Sequence, residues 1–384
     1  MSTVGILGGG QLARMLVLAG APLGVRFLVV DGVADACAGQ VAPLIRADWR
    51  DFDALEKFAQ QVDVATFDFE NVPAETAQWL TERTQVFPNP RALSTAQDRL
   101  AEKTLFRECG LDTPAFAPVD TRADLDAALR EVGAPAILKT RRLGYDGKGQ
   151  FRLRSIADAD AAWQALGANA HGLILEAFVP FECEVSVVAV RGRDGDFRTW
   201  PLTRNWHSNG ILSASLAPAH VDDAIAQAAF AHARTIAEKL DYVGVFALEL
   251  FVYEDAVHGQ KLLGNEMAPR VHNSGHWTIE GAITSQFENH VRAVLGLPLG
   301  DTAALGRSCM LNWIGELPDA RAIFNESDAH WHDYGKSPRA GRKVGHATLC
   351  ARDDAALAAS LQRVGAALGR EHQVAPVVEA LRKR

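Results

Sequence analysis

The chain has 384 residues, 48% of them hydrophobic and 22% charged, with a formal net charge of -8 and an isoelectric point near 5.9. That balance is ordinary for a soluble globular protein and long enough for two or three domains. It carries no electrostatic footprint for nucleic acid or an anionic membrane surface, so small molecules are the expected partners, with the cluster from Arg339 to Lys343 left open as a local phosphate site. Cys37, Cys109, Cys183, Cys309 and Cys350 are scattered and form no C-x-x-C pair, which predicts reduced thiols in a cytoplasmic protein. No basic leader precedes Val4, and no apolar run approaches membrane-spanning length, so the expectation is a soluble intracellular chain.

In chain order, Val4 to Leu7 reads as a strand, Gly8-Gly9-Gly10 as a tight turn and Gln11 to Ala19 as a helix; Phe27 to Val30 is a second strand, ending at Asp31. Gly8-x-Gly10-x-x-Ala13, with an acid about 20 positions on, meets the dinucleotide fingerprint. The same glycines suit the first turn of any doubly wound domain, so a nicotinamide oxidoreductase and a different phosphate ligand both stay open. Strand Val64 to Phe67 runs into Asp68-Phe69-Glu70-Asn71, at the carboxyl end where open α/β sheets place ligand contacts. Asn71 is equally a helix cap, with Pro73 at the first turn of a helix reaching Thr81. Pro88-Asn89-Pro90 marks the first domain boundary.

A helix is expected from Arg91 to Cys109, stopped by Gly110. Strands Ala115 to Val119, Ala136 to Thr140, Gln150 to Leu153 and Leu173 to Glu176, with helices Ala123 to Val132 and Ala157 to Leu166, make a compact α+β unit. Inside it, Lys139 nearly ends a strand and Gly144-Tyr145-Asp146-Gly147-Lys148-Gly149-Gln150 follows. Glycines free backbone N-H groups for a polyphosphate and lysines neutralise it, although a surface hairpin fits the loop equally well. It is not a Walker A loop, because Gly149 follows Lys148 where Ser or Thr would be needed.

Strands Glu184 to Arg191 and Phe197 to Leu202, a long amphipathic helix Val221 to Leu240, and strands Val245 to Phe251 and Lys261 to Glu266 come next. Glu249 and Glu266 each interrupt an apolar strand, which is costly unless each meets a cation. Facing a cationic loop, the pair suggests magnesium bridging nucleotide phosphates; the alternative for each is an edge-strand surface charge. His272, His276 and Glu280 are four residues apart, so a zinc site on a helix face is a rival, against which Pro269 and Asn273-Ser274-Gly275 favour a loop. A helix is expected from Thr278 to Leu295, then strands Met310 to Gly315, Trp331 to Tyr334 and Lys343 to Cys350, and a helix Asp354 to Leu368. Lys336-Ser337-Pro338-Arg339-Ala340-Gly341-Arg342-Lys343 is a turn with four cations, a candidate anion site.

Gly8-Gly9-Gly10-Gln11-Leu12, the run Asn265-Glu266-Met267-Ala268-Pro269-Arg270-Val271-His272-Asn273-Ser274-Gly275-His276, and Pro338-Arg339-Ala340-Gly341-Arg342-Lys343-Val344-Gly345-His346 together resemble the ATP-grasp superfamily, and within it the ATP-dependent carboxylases of purine biosynthesis. The resemblance implies an ATP-grasp fold of mixed α/β and α+β class. A doubly wound parallel-sheet domain would occupy residues 1–95, a small lid domain 96–180, and a mixed or antiparallel sheet domain 181–384 with a small terminal subdomain from about 305. It implies an enzyme, a homodimer, that uses ATP, Mg2+ and bicarbonate to carboxylate 5-aminoimidazole ribonucleotide, giving ADP and phosphate through carboxyphosphate. By the same resemblance Arg99, Lys139, Lys148 and the loop from Gly144 to Gln150, including Gly147 and Gly149, would hold ATP phosphates. The hinge Glu176-Ala177-Phe178-Val179 would receive adenine, Glu184 the ribose, and His207 the nucleotide; Glu249 and Glu266, with Asn265 beside them, would bind magnesium. Arg270, His272 and Asn273 would hold bicarbonate, Lys336, Arg339, Arg342 and Lys343 the ribonucleotide phosphate, and Gln11, Glu70, Tyr145 and Asp146 its base and sugar; Lys336 also counts among the catalytic candidates. Two positions depart from the pattern: Ala268 stands where many relatives carry asparagine, and Trp206 where a smaller aliphatic residue is expected. Other ATP-grasp ligases, such as a formate-dependent glycinamide ribonucleotide transformylase or a biotin carboxylase, and a non-catalytic nucleotide-binding regulator stay open as rivals.

Overall fold

The computed structural model describes residues 2–144, 149–168, 171–255 and 259–383; Tyr145, Asp146, Gly147 and Lys148, named above as loop contacts, lie outside the described residues. Leu44–Arg46, Arg26–Asp31, Thr3–Leu7, Val64–Phe67 and Gln85–Val86 form a parallel sheet in that spatial order. Its strands are continuous apolar runs because both faces are covered: Val4, Ile6 and Val29 join one core cluster, and Leu7, Val30 and Phe67 another. Connections run to opposite sides of Thr3–Leu7, so the carboxyl ends of Thr3–Leu7 and Val64–Phe67 open a crevice at Gly8 and Asp68.

The single helix expected from Arg91 to Cys109 is two, Pro90–Ala96 and Arg99–Glu108. Asp98 breaks it: its carboxylate accepts the N-H groups of Leu100 at 3.0 Å and Ala101 at 3.4 Å, capping the second helix instead of continuing the first. A four-stranded antiparallel sheet follows, in the order Phe116–Val119, Leu173–Ala177, Ala136–Thr140, Gln150–Leu153. Leu125, Ala128 and Leu129 of helix Arg122–Val132 and Ala162 of helix Ala159–Leu166 bury one face of it.

The largest sheet is antiparallel and runs Gly259–Ala268, Gly244–Asp255, Cys183–Arg191, Thr203–Ser208, Ile211–Ala217, Arg307–Ile314, Lys343–Ala351, Ala329–Asp333, with Phe197–Thr199 paired to Cys183–Arg191. The strands after residue 305 therefore extend the same sheet. The hairpin of Thr203–Ser208 and Ile211–Ala217, and the last helix Glu371–Arg382, were not anticipated. The helix expected from Thr278 to Leu295 is split into Thr278–Gly281 and Gln286–Leu295, because Ser285 caps the second piece by accepting Glu288 N-H at 3.1 Å. Alternation sets the faces of the sheet. Val185, Val187, Leu248 and Leu250 pack beneath Ile225, Ala229, Ala233 and Ile236 of helix Asp223–Lys239, which leaves Glu184, Ser186 and Glu249 pointing the other way.

Candidate active site

A cavity of about 360 Å³ lies where the three sheets meet; its walls include Glu70, Asn71, Arg99, Glu102, Lys139, Gly144, Gln150, Phe181, Glu184, His207, Glu249, Asn265, Glu266, Ala268, Arg270, His272, Asn273 and Lys343. Glu249 and Glu266 are direct cross-strand partners, and the register slips immediately after Glu249 so that Asn265 is the extra residue on its strand. Neighbours on a regular strand face opposite ways, and the bulge lets Asn265 and Glu266 both line the cavity. Arg99 Nη1 lies 3.0 Å from Glu266 Oε2, and His272 Nε2 lies 3.2 Å from Glu249 Oε1. Burial and the facing Glu266 push the Glu249 carboxyl up to about 8, whereas Arg99 and Lys139 outweigh burial at Glu266 and hold its carboxyl below the usual range. Two hard oxygen groups facing each other without enough positive charge suit a divalent cation. That is the observation on which a magnesium site fits this chain.

The expected hinge residue Glu176 does something else with its side chain. It is 2% exposed, and its Oε2 takes Lys139 Nζ at 2.9 Å and Lys103 Nζ at 3.2 Å. Burial opposes ionisation, but Lys103, Lys139 and Arg99 together hold the carboxyl down at about 2. Lys139 itself sits below its ordinary range, because burial and the neighbouring Arg99 and Lys103 cost it more than Glu176 returns. Lys103 also donates to the carbonyl of Asn265 at 3.1 Å, tying helix Arg99–Glu108 to the bulge. Sequence reading missed Lys103, although it lies one helical turn after Arg99 and so on the same face. Along the hinge, Arg152 lies over the Phe178 ring at 4.1 Å, and Ala177, Phe178 and Val179 are half-buried. At the foot of the loop Gly149 has φ +69°, and a Cβ there would stand 2.6 Å from Thr140 Oγ1, so glycine is required.

Further along the wall, Glu184 pairs with His207 at 2.9 Å; burial opposes the charged imidazole, but this hydrogen bond and the charges of Glu184, Glu249 and Glu266 together raise it above its ordinary value. A register shift between Trp206 and His207 re-aims His207, while Trp206 packs against the terminal cluster under Arg204. Phe181 stacks on Phe251, with centroids 4.7 Å apart. At the opposite end Arg270 is ion-paired with Glu70. Asn273 is 8% exposed and its amide is exchanged with that of Asn312, at 2.6 and 3.1 Å, so the core anchors it. Gln286 clamps the loop: its side chain accepts His272 N-H at 2.9 Å and donates to His272 O at 2.6 Å. Polar Asn312 inside the apolar run Met310 to Ile314 was the available signal; Gln286, among Ser285, Glu288 and Asn289, offered none.

Lys343 lines the cavity, whereas Gln11, Lys336, Arg339 and Arg342 lie outside its wall. Lys336 donates to Gln11, Arg342 to Ser337 O at 3.2 Å, and Arg339 is exposed. Asn71 is on the cavity wall and does not cap the helix Ala74–Thr81, whose first cap is Pro73 with no side-chain bond.

Two alternatives fail on geometry. Asp31 Oδ2 takes Gly9 N-H at 2.6 Å, Asp68 Oδ2 takes Ala13 N-H at 3.1 Å, and a Cβ on Gly8 would stand 2.5 Å from Asp68 Oδ1. The protein's own carboxylates occupy the glycine turn where a dinucleotide pyrophosphate would sit, and Asp31 is consumed by the backbone. The zinc site fails because His272 faces Glu249, His276 packs against His346 at 4.9 Å, and Glu280 pairs with His332 at 2.6 Å. Among the described residues no group of three or more His, Cys, Asp or Glu is arranged to hold a metal.

Three family profiles match in sequence: the ribonucleotide synthetase preATP-grasp domain over residues 1–97, the ATP-grasp domain over 104–287, and the phosphoribosylaminoimidazole carboxylase C-terminal domain over 308–360. The N5-carboxyaminoimidazole ribonucleotide synthase of Pseudomonas aeruginosa is 51% identical over 364 residues, covering 94% of this chain and 98% of that protein. The crystal structure of the Thermus thermophilus synthetase superposes with a TM-score of 0.90 at 52% identity, covering 94% of this chain and 98% of that one. The Aspergillus clavatus synthase, solved in complex with ADP and 5-aminoimidazole ribonucleotide, gives 0.85 at 29% identity over 100% of this chain and 99% of its own. The chain belongs to the N5-carboxyaminoimidazole ribonucleotide synthase family of ATP-grasp ligases.

Proposed function

We propose that the cavity carries out the ATP-dependent carboxylation of 5-aminoimidazole ribonucleotide characteristic of this family, with bicarbonate as the carbon source and carboxyphosphate as the intermediate. The observation that carries the reading is the facing pair Glu249 and Glu266, set in one cavity with Arg99, Lys139 and Arg270. Glu249 and Glu266, with Asn265 beside them, would hold magnesium, which when bound neutralises charge on the nucleotide phosphates. Lys139 and Arg99 bind the phosphates from the other side and, with the loop backbone at Gly144, Gly149 and Gln150, stabilise the transferred γ-phosphoryl group as bicarbonate attacks. Lys148 and Gly147 belong to the same loop in this reading. The main chain from Glu176 to Val179 receives adenine and Glu184 the ribose, with His207 held by Glu184 at 2.9 Å.

Arg270, His272 and Asn273 hold bicarbonate and then carboxyphosphate, whose decomposition in a closed site delivers carbon dioxide to the ribonucleotide amine before water intervenes. Glu70 and Gln11 are assigned to the base and sugar and Lys336, Arg339, Arg342 and Lys343 to the phosphate, the calls on Tyr145 and Asp146 lying outside the described residues. Lys343 on the cavity wall supports that end of the assignment. Five unpaired cysteines support a reducing, cytoplasmic setting, and a homodimer completes the reading. The test is a coupled ADP-release assay: full rate requires both bicarbonate and aminoimidazole ribonucleotide, and Glu266→Ala abolishes it. ADP release by Glu266→Ala at the wild-type rate, or indifference to the ribonucleotide, would sink the assignment.

A further inference from the structure

Behind His272 runs a line of buried polar side chains that the reaction described above does not use. Ser215 Oγ lies 2.8 Å from Asn205 Oδ1, Asn205 Nδ2 is 3.1 Å from Ser186 Oγ, Ser186 Oγ is 2.7 Å from Ser274 Oγ, and Ser274 Oγ is 2.9 Å from His272 Nδ1. Ser186, Ser215 and Ser274 are fully buried and Asn205 is 6% exposed. The line crosses three neighbouring strands, Ile211–Ala217, Thr203–Ser208 and Cys183–Arg191, and ends in the short turn Asn273–Gly275.

Its direction follows from donor arithmetic. The backbone N-H of Ser274, which can only donate, points at His272 Nδ1 at 3.4 Å, so that ring nitrogen is an acceptor. The Ser274 hydroxyl hydrogen must then also go to Nδ1, and with one hydrogen spent Ser274 Oγ can only accept from Ser186. Ser186 in turn must accept from the Asn205 amide N-H, which places Asn205 Oδ1 against the Ser215 hydroxyl. Each hydroxyl donates once, Ser186 and Ser274 each also accept once, and the amide orientation required is the one found. With Nδ1 accepting, the neutral ring carries its hydrogen on Nε2, the atom 3.2 Å from Glu249 Oε1.

We propose that Ser215, Asn205, Ser186 and Ser274 are positioning residues that pin the single hydrogen of His272 on Nε2, making the ring a fixed hydrogen-bond donor through that atom, to Glu249 in this structure, and not a base toward the bicarbonate-derived group. The proposal rests on the reading that His272 stands at the bicarbonate end of the cavity. A fixed donor orients one Glu249 oxygen and leaves the other free. It also leaves deprotonation of bicarbonate to groups other than His272.

The test is 15N NMR of histidine-labelled protein, in which the His272 nitrogens are identified among 12 histidines by their disappearance in His272→Gln. The wild type is expected to show a hydrogen-bearing Nε2 and a bare Nδ1. Ser274→Ala should populate the other tautomer and lower kcat about tenfold with KM for ATP within about twofold; Ser186→Ala should do the same more weakly, by about threefold. A wild-type ring with its hydrogen on Nδ1 overturns the proposal whether or not any variant folds. So does a Ser274→Ala ring of unchanged tautomer, or a shifted tautomer with wild-type kcat. An unchanged KM for bicarbonate in His272→Gln would instead remove His272 from the bicarbonate end while leaving the tautomer result standing, so the two failures are distinguishable.

Discussion

Carboxylates on the cavity wall and just behind it, at Glu176, are solved in opposite ways. Glu176 is saturated by the protein: Lys103 and Lys139 share one of its oxygens, and its carboxyl is held at about 2. Glu249 faces Glu266 across the strands with only the His272 ring beside it, and its carboxyl is pushed up to about 8, while Arg99 at 3.0 Å answers Glu266 alone. A carboxylate already surrounded by cations asks for no ligand and stiffens the fold. A pair in mutual repulsion is stored electrostatic strain that a bound cation relieves. Charge balance thus separates the structural carboxylate from the functional ones in the same sense as burial, Glu176 being 2% exposed and the Glu266 side chain 42%.

The largest effect should come from breaking the unbalanced pair. Glu266→Gln is expected to lower ADP formation by about 1,000-fold or more, since the charge that would hold the cation opposite Lys139 is gone. The same change should alter the stability of the metal-free protein little, because it relieves Glu249 of a facing carboxylate but takes from Arg99 the partner it holds at 3.0 Å. Differential scanning calorimetry with and without Mg2+ and ATP checks both halves: wild type should gain stability on adding the ligands and Glu266→Gln should not. A variant that unfolds several degrees lower without ligand would mean that the pair holds the fold.

Breaking the balanced set should do the reverse. Lys103→Met leaves Glu176 with one direct lysine in a dry site, and is expected to destabilise the protein by about 3 kcal/mol, measured by urea unfolding. Lys139→Met leaves Lys103 on Glu176, so its stability loss should be smaller while kcat/KM for ATP falls about 100-fold. Equal stability losses in the two variants would erase the distinction drawn here.

Acid provides a milder probe of the same carboxylate. The folded carboxyl of Glu176 is depressed to about 2 from an ordinary value of 4.5, so the folded state binds fewer protons than the unfolded one between those values. The stability this group contributes is therefore full above about pH 5 and is lost as pH falls toward 2, by at most about 3 kcal/mol. Lys103→Met should flatten that loss, and an unfolding free energy with the same acid slope in both proteins would show that other carboxylates dominate it.

Much of this arrangement was legible from residue order because the relevant signals are local. The apolar strands, the lysine-ended strand at Lys139, and acids interrupting apolar runs at Glu249 and Glu266 are each readable within a few positions. What was not legible depends on partners far apart in the chain. The glycine turn at Gly8 met a dinucleotide pattern, and only the approach of Asp68, sixty residues on, excludes the pyrophosphate. Asp98 looked like one more polar residue in a helix until Arg141 at 2.8 Å and the capped backbone explained the break. The bulge at Asn265 arises from pairing with Glu249, which no single strand records.

That bulge also governs the smallest effect. Ala268 stands where many ATP-grasp enzymes carry an asparagine, and it lies on the cavity wall two residues beyond Glu266. Were the missing amide oxygen a vacancy in the cation shell, Ala268→Asn would tighten magnesium binding by tenfold or more, about 1.4 kcal/mol. The bulge instead lets Asn265 share the wall with Glu266, which supplies an amide from another position. Ala268→Asn is therefore expected to change the magnesium concentration for half-maximal ADP release by less than about threefold, and Asn265→Ala to raise it by more than that. A large gain in Ala268→Asn together with indifference in Asn265→Ala would assign the amide to the other position and leave the bulge a purely structural device.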